Sequence, residues 1–277
     1  MTYDTIWRRL SEIYPVGEAK AVARYLLEVG FGFTSTDIYC DKISQLSSDE
    51  ETKLCKMLGR LMQGEPVQYV TGLADFGGRQ FHVEPGVLIP RPETSELCNM
   101  IAGEGGKDIL DIGTGSGCIA VTLALDIENS NVTAWDISET AISVARRNAD
   151  EHGVKVNVVR NDALNAPDDN EIWDAVVSNP PYICDKEKKD MDSNVLDYEP
   201  HTALFVPDSD PLLFYSAIAE YARKALRKSG RLYFEINALY ADETCGMLID
   251  KGYTDVKAHD DMFGKKRFVT AVKGACA

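Results

Sequence analysis

Ile109-Leu110-Asp111-Ile112-Gly113-Thr114-Gly115-Ser116-Gly117 is the stretch on which the reading of the fold turns. Ile109, Leu110 and Ile112 form a short apolar run, the pattern of a strand buried on both faces. Glycines follow at alternate positions, and an apolar, helix-type segment begins at about residue 117. Glycine permits a tight strand-to-helix turn and lets the backbone come close to a ligand. The exposed amides of a helix start favour anionic or dipolar groups. The spacing is G-x-G-x-G, and Cys118 stands where the dinucleotide fingerprint has its last glycine. The Lys-Ser/Thr ending of a phosphate loop is missing as well. The loop therefore fits neither an NAD site nor an ATP-phosphate site, and a plain tight turn remains an alternative.

Downstream of this loop, strand and helix patterns alternate. Strands are expected over 132–135, 154–159, 173–177, 231–236, 254–258 and 267–272, and helices over 117–126, 139–152, 212–226 and 241–249. Alternation of this kind implies an α/β fold, a mostly parallel sheet with helices on both faces. Upstream, Ile6, Leu10, Ile13 and Tyr14 fall at helical spacing. So do Val22, Ala23, Leu26, Leu27 and Val29, with Gly30 expected to close that helix. Ser47-Ser48-Asp49-Glu50-Glu51 opens a third helix that Gly64 ends. Between 65 and 95, glycines and prolines break up the short β-type runs Gln80-Phe81-His82-Val83 and Val87-Leu88-Ile89. The expected organisation is a helical domain over 1–72, a β-hairpin linker over 73–95 and an α/β domain over 96–277.

The whole chain of 277 residues suits two domains. With 44% hydrophobic and 26% charged residues it is not a disordered or low-complexity chain. The net charge of −15 repels a phosphate backbone and disfavours a general nucleic-acid binder. No uncharged apolar run approaches the roughly 18 residues of a membrane span. The opening MTYDTIWRRL lacks the apolar core of a secretory signal. The seven cysteines are odd in number and show no C-x-x-C spacing, so neither a disulfide framework nor a zinc site is expected. These features point to a soluble, cytoplasmic protein without a metal.

Ligand-type residues stand at the ends of the expected strands, where open α/β sheets bind ligands. Asp136 ends the second strand and could accept both hydroxyls of a ribose. Asp162 follows the third; it could accept from an adenine amine or be a solvated turn residue. After the fourth comes Ser178-Asn179-Pro180-Pro181-Tyr182. Two prolines fix φ and cannot donate, so the turn is stiff and its carbonyls are free to accept. Asn179 adds a side-chain acceptor and Tyr182 a flat face. Together they make a slot for a planar group bearing an NH2. Two acceptors on its two hydrogens orient the nitrogen and favour a transition state with more positive charge there.

These residues resemble the class I S-adenosylmethionine-dependent methyltransferases whose (D/N)-P-P-(Y/F) motif methylates planar nitrogens. Within that class the chain is similar to the release-factor glutamine methyltransferases of the HemK/PrmC type. The likeness spans nearly the whole chain, including Gln68-Tyr69-Val70-Thr71-Gly72 and Leu88-Ile89-Pro90-Arg91-Pro92-Glu93-Thr94. It implies a Rossmann-like domain with a seven-stranded, mostly parallel sheet. It implies S-adenosylmethionine as cofactor, leaving as S-adenosylhomocysteine. Asp111, Gly113, Thr114, Gly115, Ser116 and Gly117 would hold its methionine part, Asp136 and Ile137 the ribose, and Asp162 and Ala163 the adenine. Asn179, Pro180 and Tyr182 would be catalytic, with Asn179 also beside the cofactor. Asn179, Pro180, Pro181, Tyr182, Arg91 and Glu199 would face the substrate, the glutamine of the Gly-Gly-Gln motif of class 1 peptide chain release factors. The chain departs from the family pattern at Ala163, at Phe205-Val206-Pro207-Asp208-Ser209-Asp210 and at Glu235-Ile236-Asn237, where Glu-x-Gly is common.

The same motif set would serve a glutamine methyltransferase of a large-subunit ribosomal protein. An exocyclic base amine would also fit the slot, but the net charge argues against a nucleic-acid substrate. A cofactor-binding scaffold without catalysis is disfavoured by the intact Asn179-Pro180-Pro181-Tyr182 segment. His82, His152, His201 and His259 are scattered and suggest no general base.

Overall fold

The computed structural model describes residues 1–104 and 106–274. Cys276, one of the seven cysteines, lies outside them. The described chain divides into two compact units. The first holds residues 1–73 together with Asp192–Tyr198, and the second holds 74–191 and the chain from Glu199 on.

The first unit is helical. Tyr3–Leu10, Val16–Phe31 and Ser48–Leu61 are its longer helices. The helix at Ser48 starts as expected: Ser47 accepts from the Glu50 amide, and Glu50 accepts from the Ser47 amide at 2.8 Å. Two expectations fail. Gly30 does not close the second helix, which runs on to Phe31 and ends at Gly32 in the left-handed region, φ 70°. At Gly30 the missing Cβ makes room for Met57, whose Cε lies 3.2 Å from where a Cβ would be. The first helix stops at Leu10, so Ile13 is exposed in the turn before Pro15. The Ser193–Tyr198 helix is the part of this unit that comes from far along the chain, and the Tyr198 hydroxyl donates to the Gln63 carbonyl at 2.9 Å.

The second unit is built on a seven-stranded sheet. Its strands, in chain order, are β1 (Asp108–Ile112), β2 (Asn131–Asp136), β3 (Val156–Arg160), β4 (Trp173–Ser178), β5 (Leu226–Glu235), β6 (Tyr253–Asp260) and β7 (Lys266–Lys273). The order across the sheet is β6-β7-β5-β4-β1-β2-β3, and only β7 runs against its neighbours. Strand residues alternate between two cores. Ile109, Ala175, Val177 and Tyr233 meet the helices Thr94–Glu104, Cys118–Asp126 and Glu139–Glu151. Leu110, Ile112, Val176 and Phe234 meet Leu213–Ala225 and Ala241–Asp250 on the other face. Burial on both faces is why Ile109-Leu110 in β1 and Ala175-Val176-Val177 in β4 read as consecutive apolar residues rather than as an alternation.

The expected hairpin is Leu73–Phe76 with Arg79–His82, and Phe76 and Phe81 enter the first of these cores. No strand forms at Val87-Leu88-Ile89. Pro85, Gly86 and Pro90 flank it, and a proline cannot donate to a ladder. Val87 instead packs on Ala141 and Val144. Leaving β3, the chain returns to β4 on the far side of β1. The strand order therefore reverses between β1 and β4, the place where open α/β sheets open a crevice at their carboxyl ends.

Candidate active site

A cavity of about 510 Å³ occupies that crevice, within the usual range of small-ligand sites. Gly113, Thr114, Gly115, Ser116, Asp136, Ile137, Asp162, Ala163, Asn179, Pro180, Pro181 and Arg91 line it. Asp111, Gly117, Tyr182 and Glu199, also singled out in the sequence, do not line it; they stand behind residues that do.

At the β1 end, Gly113 and Gly115 take positive φ of 76° and 56°, with nothing within 4 Å of where a Cβ would point. Their backbone can therefore be approached closely from the cavity. Gly117 serves packing: a Cβ there would lie 3.0 Å from the Ala145 Cβ and 3.1 Å from its Cα. The buried Asn148 ties this loop to the hairpin, donating to the carbonyls of Ser116 at 2.8 Å and His82 at 3.0 Å.

Asp111 has no exposed surface. Its Oδ2 accepts from the Thr114 hydroxyl at 2.6 Å, while Oδ1 has no hydrogen-bond partner. Burial pushes its pKa up to about 7. Asp136 accepts from the Gly115 and Ser138 amides, each at 2.9 Å. Burial raises its pKa, and these amides pull it back. Each carboxylate oxygen keeps a further lone pair for a ligand hydroxyl. Asp162 caps the short helix Ala163–Asn165, with Oδ1 accepting from the Leu164 backbone amide and Oδ2 from the Asn165 side-chain Nδ2. Both its oxygens thus serve the turn, although the residue also borders the cavity.

At the β4 end, Ser178 is buried and its hydroxyl donates to the Ile112 carbonyl at 2.6 Å. This bond sets the start of the Asn179-Pro180-Pro181-Tyr182 turn against β1. The Asn179 Nδ2 donates to the Thr94 Oγ1 at 3.4 Å. The Thr94 hydroxyl donates to Glu235 Oε2 at 2.5 Å, and the Tyr182 hydroxyl donates to Glu235 Oε1 at 3.2 Å. Burial raises the pKa of Glu235, and the hydrogen bonds from Thr94 and Tyr182 and the nearby Arg267 charge pull it back. Glu199 is buried, with Oε1 on Arg91 at 2.6 Å and Oε2 on the Ile89 amide at 3.1 Å. Its carboxylate is therefore spent on holding Arg91 and the Ile89-Pro90 backbone at the rim. Asn237, at the family's glycine position, donates to the Tyr182 carbonyl at 3.1 Å and to Glu187. No histidine lines the cavity. Among the described residues, no cluster of three or more His, Cys, Asp or Glu could hold a metal. No helix there is long and apolar enough to cross a membrane.

Residues 5–72 match the PrmC N-terminal domain, and residues 93–197 match the methyltransferase small domain. A release factor glutamine methyltransferase of Bacteroides thetaiotaomicron is 46% identical, over 96% of this chain and 97% of that one. Another, of Flavobacterium psychrophilum, is 38% identical over 94% of each chain. The chain belongs to the release factor glutamine methyltransferase family. A solved methyltransferase of Pyrococcus furiosus shares the fold, with a TM-score of 0.52 at 19% identity, over 82% of this chain and all of that one.

Three residues of the release factor glutamine methyltransferase site have no signature in the sequence. Thr94 ends the Leu88–Thr94 run, and its partner is 141 residues away in sequence. Glu235 belongs to the Glu235-Ile236-Asn237 departure from the family pattern, which by itself gives it no role. Asn148 carried no local signal, since the groups it joins come from the hairpin and the glycine loop.

Proposed function

We propose that this protein transfers the methyl group of S-adenosylmethionine to the side-chain amide nitrogen of the glutamine in the Gly-Gly-Gln motif of class 1 peptide chain release factors. One observation carries the reading. The glycine loop and the Asn179-Pro180-Pro181 turn face a single cavity, so a cofactor on one and an amide in the other would be neighbours. Membership of a family whose relatives bear that name supports the substrate.

The residues fit S-adenosylmethionine. Gly113 and Gly115 leave room for its methionine part. Asp111 offers an unpartnered buried oxygen behind that loop, and Asp136 has acceptor capacity for ribose hydroxyls. Asp162 and Ala163 would border the adenine. When bound, the cofactor supplies a methyl group already activated by a positive sulfur. The protein's part is positioning. Asn179 Oδ1 and the Pro180 carbonyl would accept the two hydrogens of the target amide and aim its nitrogen at the methyl. Pro180 and Pro181 keep that carbonyl fixed. As positive charge grows on the nitrogen, both acceptors bind it more strongly, which is the differential stabilisation catalysis needs. Tyr182, behind the turn, would define the plane of the slot.

The helical unit would recognise the protein substrate, because the cofactor and slot residues all lie in the second unit. Release factors act on ribosomes, so this reading sets the protein in the cytoplasm. A base-amine substrate finds little support. Arg223, Lys224, Arg227, Lys266 and Arg267 each pair with an acid. The test is incubation with labelled S-adenosylmethionine and a release factor carrying Gly-Gly-Gln, with a Gln→Ala factor as control. Mass spectrometry should find the methyl on that glutamine. Equal labelling of the control would overturn the reading, and labelling of a ribosomal protein in its place would favour that substrate.

A further inference from the structure

Glu235, the last residue of β5, is 1% exposed and does not itself line the cavity. Its two oxygens accept from two hydroxyls, those of Thr94 and Tyr182. A hydroxyl has one hydrogen. With the Thr94 proton committed to Glu235 at 2.5 Å, the Thr94 oxygen can meet Asn179 only as an acceptor. The Asn179 NH2 must then turn towards Thr94, where Nδ2 lies at 3.4 Å, and its Oδ1 must turn away. An amide flipped the other way would present NH2 to NH2 of the target, donor against donor. Nothing in Asn179 itself chooses between the two orientations, since its oxygen and nitrogen are nearly equal in shape.

We propose that Glu235 is the positioning residue of this site: acting through Thr94, it fixes the hydrogen-bond polarity of Asn179, and it holds Tyr182 with its other oxygen. The inference rests on the amide-methylation reading above. An ionised carboxylate is the side chain for this task because it only accepts. Glutamine has the same shape but one donating end. Placed at 235 with its NH2 on Thr94 it frees the Thr94 proton and removes the bias on Asn179; with its NH2 on Tyr182 it forces that hydroxyl to accept and loosens the hold on Tyr182.

The experiment measures single-turnover and steady-state methylation of a Gly-Gly-Gln release factor by the full-length wild type, Glu235→Gln, Thr94→Val and Thr94→Ser. Cofactor affinity is measured by calorimetry with S-adenosylhomocysteine. Glu235→Gln and Thr94→Val should lower kcat by roughly ten- to a hundredfold, as loss of an orienting partner does, with KM and cofactor Kd within about threefold. Thr94→Ser keeps the hydroxyl and should restore kcat to within about threefold of wild type. If Glu235→Gln fails to fold, the Thr94 pair decides the matter alone. Wild-type kcat in Glu235→Gln, or a Thr94→Ser as slow as Thr94→Val, would overturn the inference. A wild type that leaves the glutamine unmethylated would instead bring down the functional reading, and this inference with it.

Discussion

At the β1–β2 end of the cavity the groups that face a ligand are backbone of a glycine loop and one carboxylate, Asp136, held by backbone amides. At the β4 end they are a side chain and a carbonyl, held by prolines and by other side chains, Thr94 among them. The first end is a cradle whose shape comes from the main chain. The second is a small machine in which one amide has to point the right way. Binding should therefore depend on the first end and rate on the second.

The largest expected effect is at the second end. Asn179→Ala removes one of two acceptors that strengthen in the transition state, and turnover should fall about a hundred- to a thousandfold, or roughly 2.7–4 kcal/mol. Cofactor affinity measured on the same protein should stay within about threefold, since little of that binding depends on a single side chain at β4. A parallel loss of cofactor affinity would erase the distinction between the ends.

Next comes Asp111, behind the cradle. Its folded-state pKa of about 7 lies above that of the unfolded chain, so the folded protein holds the proton more tightly. Its stabilising effect is thus present at low pH and is lost as pH rises towards 7 and beyond. Asp111→Asn is neutral throughout and removes that slope. In the cofactor-free protein the variant should gain on wild type by roughly 2–3 kcal/mol between pH 5 and pH 8. Thermal unfolding of both proteins at the two pH values measures it. A gap that does not move with pH would mean that Asp111 is already ionised at pH 5.

The smallest effect expected is at Asp136. Asp136→Ala takes away a charge-assisted acceptor while the loop backbone remains, so cofactor affinity should weaken by about 1.5–3 kcal/mol. Calorimetry with S-adenosylhomocysteine checks it, and unchanged affinity would remove Asp136 from the cradle.

The two ends also differ in how much of them a sequence reader can see. The glycine loop, Asp136 and the Asn179-Pro180-Pro181 turn are local patterns at strand ends. The alternation of strands and helices that places those ends together is local too. What escaped was the support. Thr94 and Glu235 meet across 141 residues, and Asn148 reaches back 66 to His82. Such pairs carry no periodicity, because the fold rather than the spacing brings them together. Asp162 failed to separate in sequence for another reason: a helix cap and an adenine acceptor use the same residue type at the same turn. Gly30 misled because glycine at a helix contact and glycine at a helix end look alike until the neighbour, Met57, is known.

The helical unit claims residues 192–198 as well as 1–73, so the chain belongs to it twice. This bears on inheritance. A recombination with one joint near Gly72 would graft a foreign helical unit onto a protein that still encodes the old Ser193–Tyr198 helix, whose Tyr198 reaches for Gln63 of its former partner. The graft works only if a second, short segment travels with it from the middle of the gene. More than one joint is therefore needed to exchange this unit whole.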